Sequence, residues 1–452
     1  MPNVVIIGGG ITGLAAAWEL QQQGVDYVLL ESSGRLGGKI VTERADGFII
    51  EGAADSFLVN KPWAWQLCQE IGLGDQLIGT NDAQRNVYVL YGGKLHLFPP
   101  GLKLIVPTDP DGLLASDLLS DEGKRRMLAE VAIPPRVETG DESLASFVRR
   151  RFGSEALEVF GQPLLAGIYV GNPEVLSMQA TFPGYLSLEQ KYGSVIRGTL
   201  EAKPPALPPN APATAFVSLR YGIQQLIEGL QAKLADHVRL NQAVTRIDAD
   251  RTIYTSTNQK FKPDAVIITS AAHTAHKLVQ HLAPQLGQAL GKVRTVSSAT
   301  ISLGYRSEDL PRPLDGFGFV VAGTEKSHLL ASTWSSTKLA GRAPGGYVLL
   351  RVFVGGHRQE SDVSLSDEEM VALARAELKK LMEIEAAPVI SRVFRWRDAN
   401  TQYEVGHLER VAQYKAMCPA WLTLVGSPYG GVGIPDCVRQ GREAAKNIQL
   451  KQ

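Results

Sequence analysis

Cysteine is scarce in this chain of 452 residues, which contains only Cys68, Cys418 and Cys437. An odd count without a C-x-x-C pair argues against a disulfide framework and fits reduced thiols of the cytoplasm. Histidine is nearly as sparse. His273 and His276 could share a helix face, yet no third ligand stands near them, which argues against a metal site. Neither charge is in surplus, because 46 Lys and Arg balance 46 Asp and Glu. That balance argues against a nucleic-acid partner and against a basic membrane surface. No apolar run is long enough to span a bilayer. A first strand starting at Val4 leaves no room for a signal peptide. Peripheral contact with a membrane stays open, since it needs no spanning segment. Neither a G-x-S-x-G elbow nor a Walker loop occurs. The rest is ordinary for a soluble globular protein, with 44% hydrophobic and 20% charged residues. The length predicts about two or three domains.

The strongest signal comes first. Val4-Val-Ile-Ile reads as a buried parallel strand, and Gly8-Gly9-Gly10-Ile11-Thr12-Gly13 follows as a turn into a helix. Gly8, Gly10 and Gly13 match G-x-G-x-x-G in the required setting of strand, turn and helix. The first glycine permits a tight turn. The second lets backbone approach a pyrophosphate, and the third lets the helix pack close to the strand. Free N–H groups and the positive end of the helix dipole would then hold the phosphates. A second strand, Tyr27 to Leu30, ends at Glu31. There a carboxylate can accept hydrogen bonds from a ribose. Together these features predict dinucleotide binding.

Ser32-Ser33-Gly34-Arg35-Leu36-Gly37-Gly38-Lys39 comes next, placing two cations and bare backbone beside that nucleotide. This segment resembles the second fingerprint of the glutathione-reductase-like FAD enzymes. The branch is the one shared by amine oxidases, phytoene desaturases and protoporphyrinogen oxidases. The resemblance moves the expected cofactor from NAD to FAD. Ile49 to Phe57 then reads as a short strand and a loop. In that family the loop passes close to the flavin and carries a Gly-Pro pair before its acid or amide, whereas Ala53-Ala54 stands here.

Residues 81 to 100 read as a hairpin around Gly92-Gly93. Residues 112 to 160 look helical, with Asp141 as an N-cap before Leu144. Arg149-Arg150-Arg151 reads as an exposed helix face. The proline-rich stretch from Pro204 to Pro212 reads as a stiff boundary between modules. Ile223, Leu226, Ile227, Leu230 and Leu234 recur at helical spacing. Val238 to Leu240, Val244 to Ile247 and Ala265 to Thr269 read as strands that return the chain to the nucleotide domain. Runs between residues 296 and 354 predict a mixed or antiparallel sheet. Ser366 to Glu369 is a capping box before a helix. A strand, Leu422 to Val425, then runs into a glycine-dense turn and a helix that begins near Ile434-Pro435. Proline suits a first helical turn. That helix start could stabilise negative charge on a reduced flavin.

The whole chain resembles the protoporphyrinogen oxidase and Gram-positive-type coproporphyrinogen III oxidase family of the flavin-containing amine oxidases. The segments that carry the likeness include Asp55-Ser-Phe-Leu, Pro163 to Tyr169, Thr181-Phe-Pro, Arg395-Trp396, Gln402 to His407 and Gly431 to Cys437. Thr401 departs from the proline expected before Gln-Tyr. The resemblance implies an FAD-dependent, oxygen-dependent oxidase of haem biosynthesis. It would convert coproporphyrinogen III to coproporphyrin III, or protoporphyrinogen IX to protoporphyrin IX. Three two-electron oxidations would follow, with O2 reduced to H2O2. It also implies FAD contacts from Gly8, Gly9, Gly10, Ile11, Thr12 and Gly13; from Glu31, Ser32, Arg35, Gly38 and Lys39; and from Ala53, Ala54, Asp55 and Ser56. Val244, Trp396, Val432, Gly433 and Ile434 complete that set. Lys61 and Arg85 fall where cations can meet a substrate propionate. No catalytic acid or base is implied. Other haem-biosynthesis enzymes are candidate partners.

The expected architecture is α/β. A split Rossmann-like FAD-binding domain would comprise residues 1–80, 210–280 and 391–452. A hairpin plus an inserted helical lobe would cover 81–209, and an α+β, sheet-based substrate domain 281–390. Two readings compete with the porphyrinogen oxidase: another amine-oxidase-like flavoprotein acting on an amine or polyene, and a nucleotide-binding protein without turnover.

Overall fold

The structure is a computed structural model that describes residues 2–203, 207–208 and 210–448. Pro204, Pro205, Ala206 and Pro209 of the expected linker lie outside the described residues. Short apolar runs build a five-stranded parallel sheet. Its order is Val238–Arg239, Tyr27–Leu30, Val4–Ile7, Ala265–Ile268 and Leu422–Leu424. Val4 lies opposite both Tyr27 and Ala265. Both faces of this sheet are covered, so its central strands need no polar alternation. Val4 and Ile6 point into one layer, with helices Ile11–Gln22 and Ile434–Lys446. Val5 and Ile7 point into the other, with Leu278, Leu286 and Tyr414. The two helices touch because Gly441 has no side chain; a Cβ there would lie 2.1 Å from the Thr12 carbonyl oxygen.

A second sheet has seven strands. Their order is Ile390–Thr401, Thr295–Arg306, Tyr347–Gly355, Leu329–Trp334, Gly316–Val321, Asn86–Tyr91 and Lys94–Leu97. All pairs are antiparallel except Gly316–Val321 with Asn86–Tyr91, which makes the sheet mixed. The hairpin at its far edge turns on Gly92 and Gly93, whose φ angles are 58° and 75°. Their N–H groups donate to the Glu325 carboxylate. Helix Asp367–Met382 starts at the Ser366–Glu369 capping box and packs Met370, Ala374 and Leu378 on one face of the sheet. The other face opens toward the crevice beyond the carboxyl ends of the parallel strands. In doubly wound sheets that crevice is where ligands sit.

The helical lobe departs from the sequence reading in two places. Helix Leu144–Phe152 is capped by Ser143, whose Oγ accepts from Ser146 N–H at 3.1 Å. Asp141 instead joins three segments, accepting from the backbone N–H groups of Glu142, Gln179 and Gly406. Nor is Arg149 to Arg151 an exposed face. Successive helical residues point about 100° apart, so three in a row cannot all face water. Arg149 pairs with Glu174 at the surface, Arg150 with Glu142 and Glu189, and Arg151 is 0% exposed against Glu130. Glu130 also accepts from Val195 and Ile196 N–H at the start of helix Val195–Glu201, where the dipole favours a negative charge.

Candidate active site

A cleft of about 1000 Å³ runs from the carboxyl ends of the parallel strands to the open face of the seven-stranded sheet. Most of the residues expected from the sequence converge on it: Gly8 to Thr12, Glu31, Ser32, Gly38, Lys39, Ala53 to Ser56, Val244, Trp396, Val432 and Ile434. Gly13, Arg35, Gly433, Lys61 and Arg85 do not line it.

At the narrow turn after the first strand, three glycines act in three ways. Gly8 has φ +112°, a conformation that L side chains rarely adopt. A Cβ on Gly13 would lie 2.0 Å from the Gly8 carbonyl oxygen, so the helix can approach the strand only without it. Gly10 has nothing within 4 Å of its Cβ position, and no side chain caps the helix that begins after it. The first helical N–H groups therefore face open space that a pyrophosphate could fill. Glu31 sits beside them. Its Oε2 accepts from Gly9 N–H at 2.7 Å, and its Oε1 accepts from Ser33 N–H at 2.8 Å. These bonds hold the carboxylate at the end of its strand, where ribose hydroxyls could reach its remaining lone pairs.

The following loop is held by its own cation. The Arg35 guanidinium donates to the carbonyls of Leu36, Ile40 and Gly38, the last at 2.7 Å. It shapes the loop from outside the cleft. Lys39 reaches inward and donates to the Ala399 carbonyl at 2.9 Å. Burial pushes its ammonium pKa down, against the opposing effect of Cys437.

Where the two sheets meet, Trp396 Nε1 and Thr300 Oγ1 both donate to the Gly52 carbonyl at 2.9 Å. Three residues on, Asp55 accepts from Lys338 Nζ at 2.8 Å and Arg351 Nη2 at 2.7 Å. Burial works to raise the Asp55 pKa, but Lys338 and Arg351 outweigh it and hold the carboxyl well below its usual range. Arg351 also donates to the carbonyls of Glu51 and Ala53, at 3.2 and 2.6 Å. Sequence reasoning missed Lys338 and Arg351. They belong to no motif, and only the tertiary fold brings them, one at the end of a short helix and one on a strand, to a loop almost 300 residues earlier in the chain.

The other end of the cleft is the glycine turn before the last helix. Gly433 is the N-cap of helix Ile434–Lys446 and offers no capping side chain. Tyr403 holds the turn shut. Its hydroxyl donates to the Ser427 carbonyl at 2.5 Å and accepts from Gly431 N–H at 2.9 Å. Its role, too, had no local signal. Lys61 pairs with Asp436 in the first turn of that helix, at 2.6 Å. Arg85 is exposed at the end of a short 3-10 turn, next to strand Asn86–Tyr91. Among the described residues there is no cluster of His, Cys, Asp and Glu fit to hold a metal ion. No described helix is long and apolar enough to cross a membrane.

The chain is similar to known proteins over nearly all its length. A family profile described as flavin containing amine oxidoreductase matches residues 11–449. The coproporphyrinogen III oxidase of Bacillus subtilis (strain 168) is 34% identical, covering 98% of this chain and 97% of its own. Chloroplastic protoporphyrinogen oxidase 1 of Arabidopsis thaliana is 30% identical over 99% of this chain and 88% of its own. A crystal structure from Exiguobacterium sp. 255-15, provisionally named a protoporphyrinogen oxidase, superposes with a TM-score of 0.87. It is 32% identical and the match covers 99% of each chain.

Proposed function

The chain belongs to the flavin-containing amine oxidoreductases, and within that family we propose that it is an FAD-dependent porphyrinogen oxidase of haem synthesis. The favoured reaction is coproporphyrinogen III to coproporphyrin III. The observation that carries this reading is the end-to-end similarity to relatives named for that reaction.

The residues present suit the cofactor. The open space at Gly10, the uncapped start of helix Ile11–Gln22 and the carboxylate of Glu31 fit the diphosphate and ribose of an FAD. The second uncapped helix start, at Gly433, fits the negative charge that a flavin gains on reduction. A bound FAD would supply the redox chemistry, taking two electrons at a time from the sp3 meso carbons and passing them to O2. The protein's own part is to bind and orient. The Gly52 carbonyl, held by Trp396 and Thr300, fixes the loop at residues 53–56 in the wall of the cleft, where it would help hold the cofactor. Val87, Ile168, Leu330 and Phe353 offer an apolar wall to a large flat macrocycle and exclude water from it. Lys61 and Arg85 stay candidates for propionate contacts, although neither lines the cleft. A cytoplasmic location, with or without peripheral membrane contact, is part of the same proposal.

The test is aerobic turnover of the flavin-loaded protein on coproporphyrinogen III and protoporphyrinogen IX in parallel, read as porphyrin fluorescence above the autoxidation blank. Faster oxidation of coproporphyrinogen is expected. A preference for protoporphyrinogen would change the substrate and keep the reaction. No rate above the blank on either, with flavin bound, would overturn the reading.

A further inference from the structure

Charge in the wall of the cleft is unbalanced where the seven-stranded sheet meets the loop at residues 51–56. Five ionisable side chains gather there: Glu51, Asp55, Lys338, Arg342 and Arg351. Three are cations and two are carboxylates. Arg342 and Glu51 lie at the back, 3.9 Å apart, with side chains 1% and 4% exposed. Through Nη1 and Nη2, Arg342 donates to Ser218 Oγ and to the carbonyls of Leu219 and Arg220, while its Nε is buried without a partner. Both terminal nitrogens of Arg351 are likewise committed, and its Nε is buried without a partner and out of a ligand's reach. Its Nη1 holds the carbonyls of Glu51 and Ala53, and its Nη2 holds Asp55.

Lys338 is different. It ends the short helix Ser335–Lys338, lines the cleft, and its side chain is the most exposed of the three cations at 16%. An ammonium has three N–H donors. Two of them have partners, Asp55 Oδ1 at 2.8 Å and Ser56 Oγ at 3.1 Å. The third has none among the described residues. Asp55 is shared with Arg351, so it cannot neutralise both. Arg351 also lines the cleft, but its terminal nitrogens are taken, so the surplus positive charge is most accessible at Lys338. Thr333, directly opposite Arg351 in the strand pairing, lines the same stretch of the cleft. The neighbouring lining residues Val87, Leu330 and Phe353 are apolar. A cation in such a wall gains most from an anionic group on an otherwise apolar ligand.

We infer that Lys338 is a specificity-determining residue that takes one carboxylate of the substrate, with Asp55 and Ser56 aiming its ammonium into the cleft. The inference rests on the porphyrinogen reading above and names a residue that reading does not supply. Arg351 serves as a positioning residue, since it holds Asp55 and the loop.

The experiment compares the flavin-loaded wild type with Lys338→Met and Lys338→Arg. Two substrates are used: coproporphyrinogen III, with its four carboxylates, and its tetramethyl ester in detergent micelles. For Lys338→Met, KM for the acid should rise about tenfold, the worth of one charge-assisted hydrogen bond, while kcat stays within about twofold. The ester should show no such penalty, and Lys338→Arg should restore most of the KM. An unchanged KM in Lys338→Met, or an equal rise for acid and ester, would overturn the inference and leave the porphyrinogen reading intact. If Lys338→Met fails to retain flavin, Lys338→Arg and Lys338→Gln carry the same comparison: only the arginine should keep the low KM for the acid. Loss of turnover in the wild type on both substrates would overturn the inference together with the reading beneath it.

Discussion

The carboxylate of Asp55 accepts a hydrogen bond from Nη2 of Arg351 across 2.7 Å, tying an early loop to a strand 296 residues further along the chain. Both side chains are buried. Breaking such a pair from one side leaves an uncompensated charge in the interior, at a cost of about 3–5 kcal/mol. Asp55→Asn should lower the free energy of unfolding by that amount at pH 7, read by urea denaturation.

The same pair sets a pH dependence. The folded-state pKa of Asp55 lies below its unfolded value, because Lys338 and Arg351 outweigh the effect of burial. Its contribution is therefore fully present above the unfolded carboxylate value of about 3.9, and is lost as pH falls from there through the lower folded value. The stability gap between wild type and Asp55→Asn should stay constant from pH 8 to pH 5 and shrink only in stronger acid. A gap already closed at pH 6 would contradict this account.

Two glycines of the first turn should fail in different ways. A methyl group at Gly13 meets the Gly8 carbonyl oxygen, which is backbone and cannot move aside cheaply. Gly13→Ala should destabilise even the flavin-free protein, by roughly 1–3 kcal/mol. A methyl group at Gly10 meets no protein atom. Gly10→Ala should melt near the wild-type temperature without flavin, yet bind FAD at least about tenfold more weakly, because the methyl occupies space meant for the diphosphate. Melting curves with and without FAD, together with flavin titration, separate the two.

Tyr403→Phe removes the hydroxyl that both donates to Ser427 and accepts from Gly431. The two backbone groups lose a buried partner, at about 1–3 kcal/mol. Since the turn they belong to leads into Gly433, the variant should also release FAD faster than wild type. Unfolding midpoints and the dilution-induced rise in flavin fluorescence measure the two effects.

In the helical lobe, Glu130→Gln should cost about 3–5 kcal/mol, because Arg151 is left buried against a neutral partner. Arg149→Ala, two residues away on the same helix, should cost less than about 1 kcal/mol, since its pair with Glu174 is half exposed. Similar losses for both would show that the lobe does not distinguish its arginines as described.

The two ends of the chain are legible in the amino-acid sequence. Strand, glycine turn and helix recur at Val4–Gln22 and at Leu422–Lys446, and each is specified by short-range chemistry: apolar runs, glycines with special backbone or contact demands, and proline at a helix start. The capping box at Ser366 and the core face of helix Gln224–Leu234 are legible for the same reason. Even Glu31 can be placed, because it stands at a fixed distance from the first turn.

The sequence by itself therefore determined the nucleotide end of the cleft, whose parts lie within a few dozen residues of one another. Only the tertiary structure decided the charged wall around Asp55 and the polar joints of the helical lobe. Lys338 and Arg351 look like surface cations in one dimension, and Asp141 looks like a helix cap. Arg151 looks like one of three exposed arginines. Lys338, Arg351 and Asp141 take their roles from partners distant in sequence, Asp55 and Gly406, and Arg151 takes its role from Glu130 on a separate element. The physical reason is that a buried charge or polar group must find a counterpart, and the counterpart is supplied by whichever strand or helix the fold lays beside it.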